Sequence, residues 1–351
     1  MNGMTDEVVL PGERACSLAE QLLVAAGAPL SQARTVALHL VDAELCGARS
    51  HGLQRVAQYA AEMAADEIDA AAEPLVTGEG PIRRVDGRRG FGQVAGVAAV
   101  ESLRRAVEQH GLGFVTVRNA GHAGRLGAYV EPLAARGMVA IAVCSGPRDG
   151  HRVAPFGGIE GRFATNPIAW AAPRAGAAPV VSDFSTSATA EGQIRLLRAL
   201  GHSAPAGALH TEDGEPTDDP GVLYRDPPGT LQPLGGEVFG YKGTGLAWLV
   251  EVLATLLAGD DPTDPRRVGN NLALIGIRGD GDLPGRVSGL AAYVHSSPPR
   301  AGAASVLLPG EREQAARAST SEVRLPPSTV AALRALAARL QSPIEAVLKG
   351  A

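Results

Sequence analysis

Apolar positions recur at helical spacing through the first fifty residues. Cys16, Ala19, Leu22, Leu23 and Ala26 form one stripe, and Gly27 is placed to stop that helix. Val36, Leu40, Val41 and Leu45 form a second, with Ser31 as its expected N-cap and Gly47 beyond its end. A third helix is expected over 52–64. Residues 75–90 read as turns, carrying Gly78, Gly80, Pro81 and Gly87 after Pro74, and a helix then covers about 94–110.

Beyond residue 110 the period changes. Short β-type runs at 113–118 and 138–143 flank a helical stretch at 124–136. Further strand candidates are 163–172, 178–184, 272–277 and 305–308. Helices are expected at 187–200 and 243–258, on either side of a long polar, Pro/Gly-rich segment at 202–235. A helical pair over 326–349 closes the chain. Alternation of this kind predicts an α/β fold.

Composition narrows the function classes. The 351 residues are 45% hydrophobic and 20% charged, enough to bury a sizeable core, and the net charge of -5 is well mixed. No basic block or aromatic-basic interleaving appears, so nucleic acid is not an expected partner. The three cysteines, Cys16, Cys46 and Cys144, are far apart and form no CxxC pair, which fits a reducing compartment. No secretory leader is read at the N-terminus and no apolar run approaches membrane-spanning length, so the expected location is cytoplasmic, without a membrane partner. The eight histidines show no HxH or HExxH spacing, and no metal site is expected.

The chemistry-bearing residues gather at element ends. In Arg49-Ser50-His51-Gly52-Leu53-Gln54-Arg55, the histidine stands four residues before the second arginine. A helix continuing through Gly52 would set both on one face. Guanidinium is a fork for a carboxylate, and imidazole moves protons near neutral pH. Asn119-Ala120-Gly121-His122-Ala123-Gly124 follows a strand, where α/β proteins place reactive groups. Pro155-Phe156-Gly157-Gly158 and Thr165-Asn166-Pro167 form a further cluster. Val181-Ser182-Asp183-Phe184-Ser185-Thr186-Ser187 ends a strand and begins a helix, a place for a phosphate or for plain capping. Lys242, between Gly240 and Gly243 at an expected helix start, reads as an anion partner. Pro309-Gly310-Glu311 is a small turn that could border a ligand.

Gly90-Phe91-Gly92-Gln93-Val94-Ala95 fits a G-x-G-x-x-A dinucleotide fingerprint, but its context argues against one. Residues 81–89 look too charged for a buried parallel strand, and Arg118, not an acidic residue, follows Val117. A tight turn capping a helix is the better reading.

Taken in order, Arg-Ser-His-Gly-x-x-Arg, Asn-x-x-His-x-Gly, Pro-x-Gly-Gly, Thr-Asn-Pro, Asp-x-x-Thr-Ser, Tyr-Lys-Gly and Leu-Pro-Gly-Glu resemble the type 2 malate/L-lactate dehydrogenase-like family across about 14–345. That resemblance implies a non-Rossmann NAD(P)-binding domain with a mixed, largely antiparallel sheet (119–314). It also implies a helical substrate domain built from 1–118 with 315–351, and a homodimer with active sites near the interface. It implies hydride transfer between NAD or NADP, with NADPH slightly favoured, and a small 2-oxo or 2-imino carboxylate. His51 or His122 would carry the proton. Arg55 would hold the carboxylate, with Ser50, Tyr59 and Asn166 near the substrate. His122, Thr165, residues 181–187, Lys242, Gly243 and Pro309-Gly310-Glu311 would line the cofactor. The chain departs from the family at Ala123, usually an aromatic, at Gly192-Gln193, usually Gly-Lys, and in the loop 144–150. The runner-up activity is a cyclic imine reductase of the piperideine/pyrroline-2-carboxylate type. The rival from another class is a nucleotide- or metabolite-binding protein without turnover.

Overall fold

The structure, a computed structural model, describes residues 7–344 and 348. Strand β1 (Val8–Pro11) opens the chain, followed by helices α1 (Gly12–Ala25), α2 (Leu30–Leu45) and α3 (Arg55–Ala64). Strands β2 (Leu75–Thr77) and β3 (Ile82–Gly90) lead into α4 (Gly92–His110) and β4 (Leu112–Ala120). Next come α5 (Gly127–Ala134), β5 (Met138–Ser145), β6 (Ile168–Ala172) and β7 (Val180–Phe184). After α6 (Glu191–Leu200) lie the short strands β8 (Leu209–His210), β9 (Pro216–Thr217) and β10 (Thr230–Leu231). Helix α7 (Gly236–Val250) runs on into a π turn, Glu251–Leu256. Strand β11 (Asn270–Arg278), α8 (Leu283–His295), α9 (Glu311–Ser319), β12 (Glu322–Leu325) and α10 (Pro327–Arg339) complete it.

A seven-stranded sheet in the order β2-β3-β4-β11-β5-β6-β7 forms the centre. Only β3 and β4 run parallel, joined through α4; every other neighbouring pair is antiparallel. The sheet is therefore mixed and largely antiparallel, as the resemblance implied. Strand β11 is apolar on both faces because both are covered. Leu272 and Leu274 face the core under α4 and α5, while Ala273 packs with Val250 and Ala254 of the α7 segment. A separate core joins α1, α2 and α3 to Val323, Leu325 and α10, so the two ends of the chain share one hydrophobic layer. The pairing of β1 with β12 ties those ends together.

Several sequence expectations change. Residues 82–90 are a strand, not a turn region. Their charges alternate outward while Arg83, Val85 and Gly87 turn in, and Arg83 reaches Gln109 Oε1 at 2.8 Å and the Ser102 carbonyl. Gly90 and Gly92 thus do join a parallel strand to a helix. The space over that turn is nevertheless filled: a Cβ on Gly92 would collide with the carbonyls of Gly121 and His122. No room remains there for a pyrophosphate.

Ser31 lies inside the first turn of α2 and makes no capping bond; Pro29 precedes the helix. Residues 305–308 form no strand, while β1, β12, α8 and α9 were not anticipated. The second helix expected near 349 lies outside the described residues.

Candidate active site

Three elements converge at one end of the sheet. Gly47, in the left-handed region, ends the α2 segment, and Arg49–His51 then make a single 3-10 turn. Gly52 is extended, so His51 and Arg55 do not share a helix. This corrects the one-face geometry expected from their spacing. Arg55 is instead the first residue of α3, and both side chains still open onto the same cleft. Glu44 of α2 supports the turn from below by accepting the Leu53 N–H at 2.8 Å.

The cleft is about 730 Å³, within the range of small-molecule sites. Ser50, His51, Arg55, His122, Thr165 and Arg195 are among its lining residues. His51 Nδ1 stands 3.2 Å from His122 Nε2, and the two rings are parallel within 4°. His122 Nδ1 lies 2.7 Å from the Tyr59 hydroxyl, which accepts a 2.7 Å bond from Gln93 Nε2. Both nitrogens of His122 are therefore engaged by protein. Among the described residues, no group hydrogen-bonds His51 Nε2.

Electrostatics keep both rings neutral. Burial, then the positive charges of Arg55 and Arg125, lowers His51 to about 3. His122 is lowered well below its ordinary value by burial, then by Arg55, His51 and Arg195. Burial raises Tyr59 far above the usual phenol range, despite Arg55 beside it. Arg55 donates from Nε to the Ser50 carbonyl at 2.8 Å and from Nη1 to Gln58 Oε1 at 2.5 Å. The guanidinium is thus aimed before any ligand arrives.

The lining mixes both signs of charge, with Glu62, Glu67, Asp149 and Glu191 among the arginines. Arg152 and Arg267 line the cleft, and Arg267 bonds the Gly146 carbonyl while its buried Nε has no partner among the described residues. Gly146, Pro147, Asp149 and Gly150 also border the cleft, so the unusual 144–150 loop does shape it. Ala123 does not: it is buried in the sheet core, with its N–H on Asn270 Oδ1.

Other expected site residues are placed elsewhere. Asn166 is fully buried and donates to Glu251 Oε1 at 2.9 Å, bracing the π turn, so it is not a substrate contact in this geometry. Residues 185–187 precede α6 rather than capping it. Their hydroxyls are spent locally: Thr186 on the Thr165 carbonyl, Ser187 on Ser185 and Thr189. Phe184 packs beneath the α7 segment. Lys242 and Gly243 lie within α7, not at its start. Lys242 is exposed over the Phe239 ring at 4.9 Å, and Gly243 presses on the Leu234 backbone. Val181, Ser182, Asp183 and Gly310 border a separate cavity of about 120 Å³ with Arg125 and Arg317. Pro309 accepts the Val181 N–H, and Glu311 meets His295 Nε2 at 3.1 Å.

Sequence reasoning missed Gln93, Arg195 and Arg267. Gln93 was visible only inside the G-x-G-x-x-A look-alike. Nothing local marked the two arginines among the many on the surface.

A largely antiparallel sheet with a His-His-Tyr chain and an arginine in one cleft defines an α/β enzyme outside the doubly wound dinucleotide folds. The family model described as malate/L-lactate dehydrogenase matches residues 10–334, and the chain belongs to that family. It is 35% identical over 317 residues to the L-lactate dehydrogenase of Cupriavidus necator, covering 87% of this chain and 90% of that one. It is 37% identical over 243 residues to the (2R)-3-sulfolactate dehydrogenase (NADP(+)) of Chromohalobacter salexigens, covering 69% and 70%. The crystal structure of delta1-piperideine-2-carboxylate reductase from Pseudomonas syringae superposes with a TM-score of 0.82 at 29% identity, over 93% of this chain and 99% of that one. The chain is accordingly an oxidoreductase of a family whose dehydrogenases use nicotinamide cofactors.

Proposed function

We propose that this enzyme interconverts a small 2-oxo or 2-imino carboxylate with its 2-hydroxy or 2-amino acid, using NAD or NADP, with NADPH the preferred form. One observation carries the reading: the free His51 Nε2 and the pre-aimed Arg55 guanidinium open onto the same cleft, while both nitrogens of His122 are already engaged. Arg55 holds the substrate carboxylate through charge-assisted bonds. His51 moves a proton to or from the oxygen or nitrogen on the adjacent carbon. His122 acts behind it, through Nδ1 of His51. Ser50 and Thr165 border the substrate, and Tyr59 acts through His122.

Arg55 also tunes His51. Its charge is one reason the imidazole is hard to protonate. A bound carboxylate cancels that charge, so substrate binding makes His51 a better proton carrier.

The cleft fits a nicotinamide dinucleotide in two respects. Arg152 and Arg267 offer cationic partners for its phosphates, and Arg267 has an unused buried N–H. Bound there, the cofactor supplies or accepts the hydride. Ser182, Asp183 and Gly310 border the separate smaller cavity, and a cofactor role for them rests on the family resemblance rather than on the cleft. The helical layer of α1, α2, α3 and α10 serves as the substrate domain in this reading; residues 75–118, expected with it, instead give β2, β3, α4 and β4 to the central sheet, which with 119–314 serves as the cofactor domain. We further propose a homodimer joined through the exposed apolar face of Val238, Tyr241, Trp248, Leu249, Val252 and Leu256. A reducing, cytoplasmic setting suits three unpaired cysteines.

Oxidation of NADH and NADPH, followed with pyruvate, oxaloacetate and piperideine-2-carboxylate, tests this. Turnover of the imine alone selects the imine reductase. Cofactor binding with no turnover across such a panel makes the protein a binder and overturns the proposal.

A further inference from the structure

The Gly90-Phe91-Gly92-Gln93 turn resembles a nucleotide motif but has no space for a nucleotide. Its close packing delivers something else. Gln93, the second residue of α4, is 1% exposed, and its amide meets the Tyr59 hydroxyl. We infer that Gln93 is a positioning residue, whose side-chain amide sets the direction of the buried chain Gln93–Tyr59–His122–His51 and so decides whether His51 offers a proton or a lone pair at Nε2. This rests on the reading of His51 as the proton carrier.

A phenol has one proton, and a neutral imidazole has one N–H and one bare nitrogen. With Gln93 Nε2 donating to the phenol oxygen, the Tyr59 proton must point to His122 Nδ1. His122 then carries its proton on Nε2 and donates to His51 Nδ1. His51 is left with its proton on Nε2, facing the cleft. In this direction Nδ1 is occupied and His51 has no site for another proton.

A half-turn of the amide reverses every link. Gln93 Oε1, buried and without a partner among the described residues, would accept the Tyr59 proton. His122 would then donate from Nδ1 to the phenol oxygen, and His51 from Nδ1 to His122 Nε2. His51 Nε2 becomes a lone pair, open to one further proton. In the oxidation direction that nitrogen takes the hydroxyl proton of the substrate while the hydride leaves C2, and His51 becomes an imidazolium. Reduction is the reverse: the imidazolium returns the proton from Nε2, and the chain is neutral again. The amide's nitrogen and oxygen are nearly the same size, so the half-turn needs no repacking.

The charged and titratable groups bearing on the two rings are Arg55 from α3, Arg125 after β4, Arg195 from α6 and Tyr59 from α3. The test leaves all four in place and changes only Gln93. Nitrogen-15 NMR of histidine-labelled full-length protein reads the His51 tautomer without substrate. Wild type is expected to carry the proton on Nε2. In Gln93→Glu, a neutral carboxylic acid can still donate to Tyr59. Once ionised it can only accept, so the His51 proton should move to Nδ1 as pH rises. Gln93→Met, of similar length but unable to hydrogen-bond, should show both tautomers and keeps the test available if the glutamate variant does not fold.

With whichever substrate oxidises NADPH, both variants should shift the pH profile of kcat by about one unit and leave KM within about twofold. An unchanged His51 tautomer in the folded variants, or a change in KM alone, overturns the inference. A tautomer that responds in a protein that turns over no oxo acid or imine leaves the chain standing and overturns the reaction assigned to His51.

Discussion

Gly192, near the start of α6, presses on Ser50 so closely that a Cβ on the glycine would stand 2.5 Å from the Ser50 Cβ. The helix that bears Arg195 is therefore docked on the turn that bears His51. Helix α6 itself buries only Ile194, so this contact governs its position more than its stability. Gly192→Ala should push α6 off the His51 turn at a local cost of about 1–3 kcal/mol. Steady-state kinetics should show kcat/KM reduced by roughly tenfold or more, with the thermal midpoint lowered by about a few degrees. Unaltered kinetics would mean that α6 adjusts freely.

The two histidines should separate in kinetics. His51→Ala removes the one ring nitrogen of the pair that has no protein partner among the described residues, so on the proposed function kcat should fall by about 10²–10⁴-fold. His122→Ala leaves His51 Nε2 in place but frees its Nδ1, and should cost less while altering the pH profile. Equal losses would show that both touch the substrate.

Arg55→Lys retains the charge but loses the fork. Its effect should fall mainly on KM for the carboxylate substrate, at about 1.5–3 kcal/mol in kcat/KM. Retention of normal KM would remove Arg55 from the carboxylate site.

Glu44 sets a pH limit on stability. Burial raises it to about 7, outweighing the Leu53 N–H and Arg49, both of which lower it. A folded-state value above the unfolded one means the protonated form is favoured in the fold. Its contribution is complete below the ordinary glutamate value of 4.5 and is lost as pH rises through about 7. Glu44→Gln keeps an acceptor for Leu53 without the charge. Its advantage in thermal midpoint over wild type should grow from about pH 5 to about pH 8, by up to a few degrees. A pH-independent difference would contradict this.

Four ionic groups join α2, α5 and α9. Arg125, with a side chain only 5% exposed, meets Asp42 and Glu131 at 2.8 Å each, and Arg317 meets the same two carboxylates at 2.7 and 3.0 Å. Asp42→Asn breaks this ring and leaves Arg125 with one carboxylate. Denaturant titration should show a loss of about 3 kcal/mol, the lower end for a broken buried pair. A loss within about 0.5 kcal/mol would make the ring a surface arrangement.

Local pattern carried much of the fold. Stripes at helical spacing located α1 and α2, and Gly27 and Gly47, expected beyond their ends, both take positive-φ conformations that favour glycine. The apolar run at 272–277 emerged as the central strand because both of its faces are buried. The ordered motifs also pointed to His51, Arg55 and His122, which do meet in one cleft.

Tertiary structure decided the rest. Charge made residues 82–90 look unlike a strand; pairing with β4 and the burial of Arg83 against α4 made them one. Hydroxyls at 185–187, Asn166 and Lys242 looked equally ready to bind a ligand, and packing turned the first four inward and left the last on the solvent side of α7. Which histidine keeps a free nitrogen depends on Tyr59 and Gln93, brought from α3 and α4. Side-chain periodicity states which face of an element is buried. It does not state which polar groups meet across elements, because that follows from long-range register and helix docking.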